Sequence, residues 1–311
     1  MGKCVAACHK IKMLPEKFSI IEVPLEAPEV IEDLGTKEKF WFRYQNLGRY
    51  LYKKARPNTG EDWVEKIASE LCKLLRLPHA DYELATFNGE NGTISPSFLA
   101  KGGNLILGNE ILAPIVPDYP QDSKDLTQHT IHNISHAIED PSVNLPIGWI
   151  PVEGINRAIE IFVGYLLLDA WIGNTDRHHE NWAFISLKEK IYLAPTYDHA
   201  SSMGRELADE KRHLKLNNKS VIGYAEKCSS LIYASFGEKK RLKTFDAFRE
   251  VQQRYPEAAR VWLSNLARVS SNDTLELFER IPSNRISKTA ITFAQTILDF
   301  NQKRLLKLLD T

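Results

Sequence analysis

The most polar stretch of the sequence follows directly after one of its most apolar runs. Residues 161–168 are almost entirely apolar, and residues 174–181 are Asn-Thr-Asp-Arg-His-His-Glu-Asn. Polar groups beside a buried segment cost hydration free energy unless they find partners, and proteins commonly accept this cost where a loop carries function. We therefore treat residues 174–181 and the polar residues that follow them as the candidate site.

Three residues of this region have the types and the order that phosphoryl transfer needs. Asn181 follows Asp176 by five residues, and Asp198 comes after the next two predicted strands. In phosphoryl transfer one carboxylate takes the proton of the attacking hydroxyl, while an Asn of the same loop and a second Asp bind Mg²⁺. Oxygen ligands of this kind suit Mg²⁺. The spacing predicts Asp176 as the catalytic residue and Asn181 and Asp198 as metal ligands.

Other interpretations of these residues explain less. Asp176 and Asn181 are also typical of turns, but a turn accounts for neither the full loop nor Asp198. A dinuclear metal phosphohydrolase could use the histidines of the loop as ligands. However, His178 and His179 are adjacent, so both cannot face one metal from a helix or a strand, and the sequence contains no His-Asp dipeptide and no H-E-x-x-H. Phosphoryl transfer is the favoured interpretation.

The loop and its downstream Asp resemble a known family. The run at residues 174–181, followed by Tyr197 and Asp198, resembles the catalytic loop and the metal-binding Asp of HipA-like serine/threonine kinases. The resemblance covers about residues 30–310. It implies an ATP- and Mg²⁺-dependent kinase with a two-lobed, protein-kinase-like α+β fold.

The remaining loop residues are given weaker roles by the same resemblance. Arg177 is expected either to face a phosphate, and so to bind the cofactor, or to be structural. His178 is expected to pack and form hydrogen bonds within the loop. His179 is expected to face solvent.

The first part of the chain also matches the family. Residues 35–39, Gly-Thr-Lys-Glu-Lys, resemble its short phosphate loop. The residues expected to bind nucleotide there are Gly35, Thr36 and Lys39. Lys53 resembles the strand lysine that holds the α- and β-phosphates, and Glu65 resembles the carboxylate that keeps this lysine directed toward ATP. Lys54 is the alternative to Lys53, but neighbouring side chains of a strand point to opposite faces, and Lys53 is preferred.

The elements that must position these residues are predicted from periodicity. Residues 40–54 predict a β-hairpin, because aromatic, β-prone runs flank an Asn-Leu-Gly turn. Residues 61–77 have the apolar spacing of a helix, which Pro78 ends. Residues 155–171 are apolar on nearly all sides and predict a buried helix that ends at Gly173. Further elements are predicted as strands at 81–87, 93–99, 182–186 and 191–193, and as helices at 123–138, 256–269 and 288–309.

A strand-rich part followed by a helical part predicts two lobes with a cleft between them. We expect an N-lobe at residues 1–110, with the phosphate loop, the ATP lysine and one long helix. A helical C-lobe at residues 111–311 is expected to carry the catalytic and metal-binding loops. The fold class is therefore α+β.

Composition narrows the functional classes. The 311 residues are 43% hydrophobic and 26% charged, as is usual for globular proteins. The 40 basic and 40 acidic side chains give a formal net charge of zero, which argues against a general nucleic-acid or membrane-surface binder. Four cysteines do not form a disulfide scaffold. With no targeting signal and no apolar run near the roughly 20 residues that span a bilayer, a cytoplasmic protein is expected.

The phosphate acceptor and the partners are implied by the resemblance alone. It implies that the acceptor is a Ser or Thr hydroxyl of a protein, for example a translation component. It also implies a toxin of a toxin–antitoxin pair. An antitoxin or a small companion subunit is then an expected partner, without direct nucleic-acid or membrane binding. The alternatives are a small-molecule or lipid kinase of the same fold, or an inactive nucleotide-binding regulator.

The sequence departs from the family pattern in two respects, and it contains two basic segments of open function. Larger family members carry an extra N-terminal subdomain that is not expected here. Some have a regulatory Ser before the phosphate loop, where residues 31–33 of this chain are Ile, Glu and Asp. The basic segments at 211–219 and 239–243 are either solvated surface or a docking face for an acidic partner or a tRNA-bound substrate protein.

Overall fold

A computed structural model describes residues 15–31, 38–44, 48–120 and 126–310. Its strands are β1 (Ile20–Val23), β2 (Val30–Ile31), β3 (Lys39–Arg43), β4 (Arg49–Lys54), β5 (Glu83–Phe87), β6 (Glu90–Pro96), β7 (Asn104–Leu107), β8 (Val143–Asn144), β9 (Ala183–Leu187), β10 (Lys190–Leu193), β11 (Ser229–Tyr233) and β12 (Arg241–Lys243). Its helices are α1 (Glu61–Leu75), α2 (Gly108–Leu112), α3 (Ile131–Ile138), α4 (Ala158–Ile172), α5 (Asp209–Asn217), α6 (Val221–Lys227), α7 (Thr244–Arg254), α8 (Pro256–Ala267), α9 (Ser271–Arg280) and α10 (Lys288–Leu306).

The N-terminal lobe is built on a sheet with the strand order β1-β5-β6-β4-β3-β2. β1 and β5 are parallel, and the other neighbouring strands are antiparallel. The hairpin predicted at residues 40–54 is confirmed as β3 and β4, with Lys39 opposite Lys53. Phe40, Phe42 and Tyr52 are buried on one face, and this packing of aromatic side chains fixes the register of the hairpin.

Helix α1 packs against this sheet and confirms the helix predicted at residues 61–77. Its apolar stripe, which includes Val64, Ile67 and Leu71, is fully buried. The helix ends at Leu75 because Arg76 adopts a left-handed backbone conformation, with φ of 61°. The apolar spacing thus predicted the helix and its face but placed its end two residues too late.

The C-terminal part is organised around α4. Every residue of this helix except Glu160 is buried, and α4 packs against α7, α8 and α10. Gly173 caps it with φ of 68°, a conformation that glycine adopts without a steric penalty. The predicted buried helix and its end are confirmed. Among the described residues, no helix is both long and apolar enough to cross a membrane.

The helix predicted at residues 123–138 is shorter than expected. Residues 127 and 128 form a turn, Thr130 forms a β-bridge with Tyr233, and α3 begins only at Ile131. The side chain of Thr130 accepts a hydrogen bond from the backbone N–H of Asn133, as a helix N-cap does. The cap sets the start of the helix, and residues 123–125 lie outside the described residues.

A second sheet, of order β7-β9-β10-β8, lies beside the helices. Its strand β7 precedes residue 110 but pairs with β9, which follows the polar loop at 174–181. The lobe boundary at residue 110 stays a prediction. The pairing shows that the chain has already joined the sheet of the C-terminal part by Asn104.

A buried ion pair connects α1 to the segment between α9 and α10. The Arg285 side chain donates to Asp62 at 2.8 Å, to the carbonyl of Ala85 at 2.8 Å and to the hydroxyl of Thr86 at 2.7 Å. The side chains of Arg285 and Asp62 are only 1% and 3% exposed. One guanidinium therefore joins the long helix and the sheet of the N-lobe to the C-terminal helices.

Substitution of Arg285 should strongly destabilise the protein. In Arg285→Met the Asp62 carboxylate stays buried without its partner, so the free energy of unfolding should fall by about 3–5 kcal/mol. The matched control is Arg43→Met, because Arg43 pairs with Glu29 at an exposed site, where such a pair contributes at most about 1 kcal/mol. Denaturant unfolding measures both variants, and equal losses would contradict the role of Arg285.

Candidate active site

A cavity of about 200 Å³ opens between the two sheets. Four residues predicted for the site line it: Lys39, Lys53, Asn181 and Asp198. His178 and Glu180 of the polar loop also face it. The remainder of its wall is mainly apolar and includes Trp41, Leu51, Phe98, Leu99, Leu105, Leu107 and Tyr197. The cleft thus combines a charged end with an apolar end, as a site for a nucleotide requires.

Lys53 of β4 lies at the centre of the charged end. Its ammonium is 3.0 Å from the Asp198 carboxylate and 3.7 Å from that of Glu65. Burial alone would lower the pKa of Lys53, but Asp198, Tyr82 and Glu65 together raise it well above its ordinary value. The lysine therefore stays charged. Lys54 lies on the other face of the strand, where its ammonium contacts Glu38 at 3.3 Å.

The carboxylate of Glu65 has a second contact besides that with Lys53. Its second carboxylate oxygen accepts a hydrogen bond of 3.0 Å from the backbone N–H of His199, the residue after Asp198. The carboxylate of α1 therefore joins β4 of the N-lobe to the segment that carries Asp198. This contact aligns the two sides of the cleft through a buried side chain that is only 3% exposed.

Asp198 has an unusual backbone for a residue with a side chain. Its φ is 56°, in the left-handed region, which Asp enters more readily than most residues but at a free-energy cost. The N–H of Asp198 donates to the hydroxyl of Tyr82 at 3.3 Å, and its carboxylate accepts from Lys53. These contacts hold the strained residue with its carboxylate in the cleft. Tyr82 was not predicted, because nothing in its spacing marks it.

Asp176 and Asn181 are brought together by the fold of the loop. The Asn181 amide donates to the carbonyl of Asp176 at 2.7 Å. The N–H of Asp176 donates to the side-chain oxygen of Asn174 at 3.1 Å, and the hydroxyl of Ser201 lies 3.4 Å from its carboxylate. The Asp176 side chain is partly exposed and does not line the cleft with Asn181.

Arg177, which was expected either to face a phosphate or to be structural, does not line the cleft. Its side chain is fully buried and donates to both carboxylate oxygens of Asp169, at 2.7 and 2.8 Å. It also donates to the hydroxyl of Thr196 at 3.1 Å and to the carbonyl of Asn181. All three guanidinium nitrogens are thus occupied inside the protein. Of the two roles considered for Arg177, these contacts favour the structural one.

His179 is also buried, contrary to the expectation that it faces solvent. The hydroxyl of Tyr119 lies 3.1 Å from its Nδ1, and the ring packs against His129. His129 accepts from the Trp182 indole at 3.1 Å and lies 2.8 Å from the carbonyl of Leu231. Burial lowers the pKa of His129 to about 3, so this ring is neutral. The sequence did not reveal the packing of Tyr119 and His129 around His179, because these residues are distant in the chain.

The phosphate-loop residues are only partly described. Gly35 and Thr36 lie outside the described residues. Lys39, the last residue of that motif, begins β3 and lines the cleft opposite Lys53 in the hairpin.

The donors in the cleft fit a magnesium ion. The Asn181 side chain uses its nitrogen for the Asp176 carbonyl, which leaves its oxygen as a possible ligand beside the Asp198 carboxylate. Mg²⁺ is commonly held by one or two protein oxygens together with substrate phosphates and water. Within the described ranges, no three or more His, Cys, Asp or Glu side chains are grouped to hold a metal, and a site of one Asn and one Asp needs no such group.

Comparisons with known proteins bear on the fold. No protein-family model and no curated protein matches the sequence. The structure is similar to the proinflammatory kinase CtkA of Helicobacter pylori, with a TM-score of 0.72 and 18% identity over 94% of this chain and 97% of CtkA. It is also similar to HipA of Shewanella oneidensis, determined with HipB and operator DNA, with a TM-score of 0.57 and 11% identity over 92% of this chain and 68% of HipA. The chain therefore has the two-lobed α+β kinase fold that was expected, similar to those of CtkA and HipA.

Proposed function

We propose that the protein is an ATP- and Mg²⁺-dependent kinase that transfers the γ-phosphate to a Ser or Thr hydroxyl of a protein. The observation that carries this proposal is the meeting of Lys53, Asn181 and Asp198 in one cleft. Glu65 contacts Lys53, and Asn181 holds the loop that bears Asp176. The kinase fold of the chain supports it.

Each residue has a role that follows from its position. Lys53 supplies a positive charge for the α- and β-phosphates, and Glu65 holds its ammonium in place. The oxygens of Asn181 and Asp198 hold Mg²⁺, which neutralises charge on the phosphates when it is bound. The apolar end of the cleft, with Leu51 and Leu105 among its residues, suits a purine base.

Asp176 orients the acceptor and takes its proton. The acceptor oxygen forms a bond to the γ-phosphorus while the bond from that phosphorus to the β,γ-bridging oxygen breaks, ADP leaves, and the hydroxyl proton passes to the Asp176 carboxylate. Most of the rate enhancement then comes from positioning and charge neutralisation. The hydrogen bonds of the loop to Asn174, Asn181 and Ser201 hold Asp176 for this task.

A toxin–antitoxin partnership is the biological setting that we propose. HipA, one of the similar structures, belongs to a toxin–antitoxin system and was determined with HipB. By analogy, we propose a small antitoxin as the partner of this chain and a protein of the translation machinery as its acceptor.

Replacement of Asp176 should abolish transfer without removing nucleotide binding. Asp176→Asn keeps the size of the side chain but cannot take the proton, so kcat should fall about 10²–10⁴-fold while the Kd for Mg²⁺–ATP is unchanged. The assay is transfer of γ-label from ATP to proteins of a cell extract, with ATP binding measured separately. Asp140→Asn, an exchange at an exposed surface site, is the control. Wild-type turnover in Asp176→Asn would refute the assignment.

Asp198→Asn should act differently, because Asp198 is proposed to bind the metal. Its loss should weaken ATP binding in the presence of Mg²⁺ by about tenfold or more, since charged metal ligands contribute strongly to affinity. Titration calorimetry with ATP, with and without Mg²⁺, separates the two contributions. An affinity for Mg²⁺–ATP equal to that of the wild type would exclude Asp198 as a ligand.

Arg177 should matter for folding rather than for phosphate binding. In Arg177→Met the Asp169 carboxylate is left buried without its partner, and the free energy of unfolding should fall by about 3–5 kcal/mol. Because paired apolar replacements of buried ion pairs are often tolerated, Arg177→Met combined with Asp169→Leu should recover part of that loss. Unchanged stability together with lost ATP binding would restore the cofactor-binding role.

Growth of the host provides the test of the toxin role. Expression of the wild-type chain in bacteria should arrest growth, whereas Asp176→Asn, expressed to the same level, should not. Colony counts after induction measure the difference. Equal growth of both strains, with active kinase present in the cells, would exclude a toxin that acts through phosphorylation in that host.

A further inference from the structure

A second cavity borders the catalytic loop at the residue that precedes Asp176 in the sequence. It has a volume of about 360 Å³ and is lined by Thr175, the residue before Asp176. The nucleotide cleft is lined instead by His178, Glu180 and Asn181, which follow Asp176. Asp176 itself lines neither. The loop that bears Asp176 thus contributes residues to both cavities, one before Asp176 and three after it.

The walls of this second cavity come from the part of the chain that follows Asp198. Glu206 precedes α5, Lys215 lies on α5, and Tyr224 and Lys227 lie on α6. The other lining residues are Ser220, Gly223 and Cys228. Helices α5 and α6 pack on α10 of the C-terminal part, so the cavity is attached to the lobe that carries the catalytic loop.

The charges of the cavity are unequal. Lys215 and Lys227 both line it, and within the described part of the chain neither lysine forms an ion pair. The carboxylate in the cavity wall belongs to Glu206, which accepts a hydrogen bond of 2.7 Å from the Tyr224 hydroxyl. The ammonium of Lys215 lies 5.7 Å from the centre of the Tyr224 ring. Two lysines and one carboxylate therefore give this concave site beside the loop an excess of positive charge.

The basic residues of the segment at 211–219 have different surroundings, and only some of them line the cavity. Arg212 is buried and donates to Asp209 and to the carbonyls of Gly204 and Arg205. Lys211 is exposed and does not line the cavity, whereas Lys215 is half-buried in its wall. Only part of the basic segment is thus placed to bind a ligand near the site.

We propose that this cavity binds an acidic side chain of the acceptor protein, so that the preferred substrate carries Asp or Glu close to the phosphorylated Ser or Thr. The proposal rests on the proposed function and specifies its substrate class. Neighbouring Cα atoms such as those of Thr175 and Asp176 are about 3.8 Å apart, so an acceptor at Asp176 lies near the cavity. A substrate chain bound at Asp176 can therefore place a neighbouring acidic side chain in the cavity.

The test compares synthetic peptides that differ only in the residues around one Ser or Thr. In three sets these neighbours are Glu, Ala or Lys, and transfer of γ-label from ATP gives kcat/KM for each. The wild-type protein should prefer the Glu set over the Ala set by about tenfold. Lys215→Glu and Lys227→Glu should each reduce this preference about fivefold or more, because they replace attraction with repulsion. Lys211→Glu, the same charge change on α5 outside the cavity, should leave the preference intact.

The outcomes separate this proposal from the proposed function. Equal labelling of all three sets, or a preference that survives both cavity substitutions, overturns the acidic-residue proposal and leaves the kinase intact. Labelling of intact extract proteins but of no peptide overturns it as well, since the acceptor is then not recognised through a short acidic segment. Labelling of neither peptides nor proteins refutes the protein-kinase function itself. If either Glu substitution impairs folding, Lys215→Gln and Lys227→Gln provide the same comparison with a smaller expected loss.

Discussion

The buried ion pair between Arg177 and Asp169 is the interaction on which the candidate site depends. Two charges in the protein interior are favourable only when their hydrogen bonds are nearly complete. Here the guanidinium meets both oxygens of the carboxylate and also binds Thr196 and the backbone of Asn181. The end of α4, the loop at 174–181 and the segment after β10 are therefore held by one side chain. If the loop moved, it would leave a buried charge without its partner.

A second buried guanidinium, that of Arg285, fixes the position of helix α1 in the N-lobe. Arg285 holds α1 through Asp62, and Glu61 at the start of the same helix pairs with Arg205 at 2.8 Å. Both arginines belong to the part of the chain that follows the loop at 174–181. Because Glu65 lies one turn further along α1, these contacts fix the carboxylate that faces Lys53. The surroundings of Lys53 are thus set by residues far away in sequence.

The sequence was informative where the signal is local. The hairpin β3–β4, the stripe of α1 and the buried α4 follow from apolar periodicity over a few turns or strands, and the structure contains all three. The spacing of Asp176 and Asn181 is likewise local, and the loop brings these two residues together through one hydrogen bond. Lys53 and Glu65 depended on the resemblance to a family, because either residue alone is ordinary on a strand or a helix.

The sequence was not informative where burial depends on distant partners. Arg177 and His179 are polar residues in a polar loop, so exposure was the natural expectation for His179. Their burial follows from Asp169 on the preceding helix and from Tyr119, sixty residues earlier in the chain. The start of α3 was misplaced because the cap formed by Thr130 outweighs helix propensity before it. Periodicity contains no information about such contacts.

The backbone conformation of Asp198 depends on contacts from both lobes. A left-handed conformation at a residue with a side chain persists only where the surroundings determine it. For Asp198 the determinants are Tyr82 on one side and Lys53 on the other, both from the N-lobe, while the N–H of the next residue is held by Glu65. The proposed metal ligand therefore takes its place only when both lobes are correctly joined, which makes formation of the site a consequence of the whole fold.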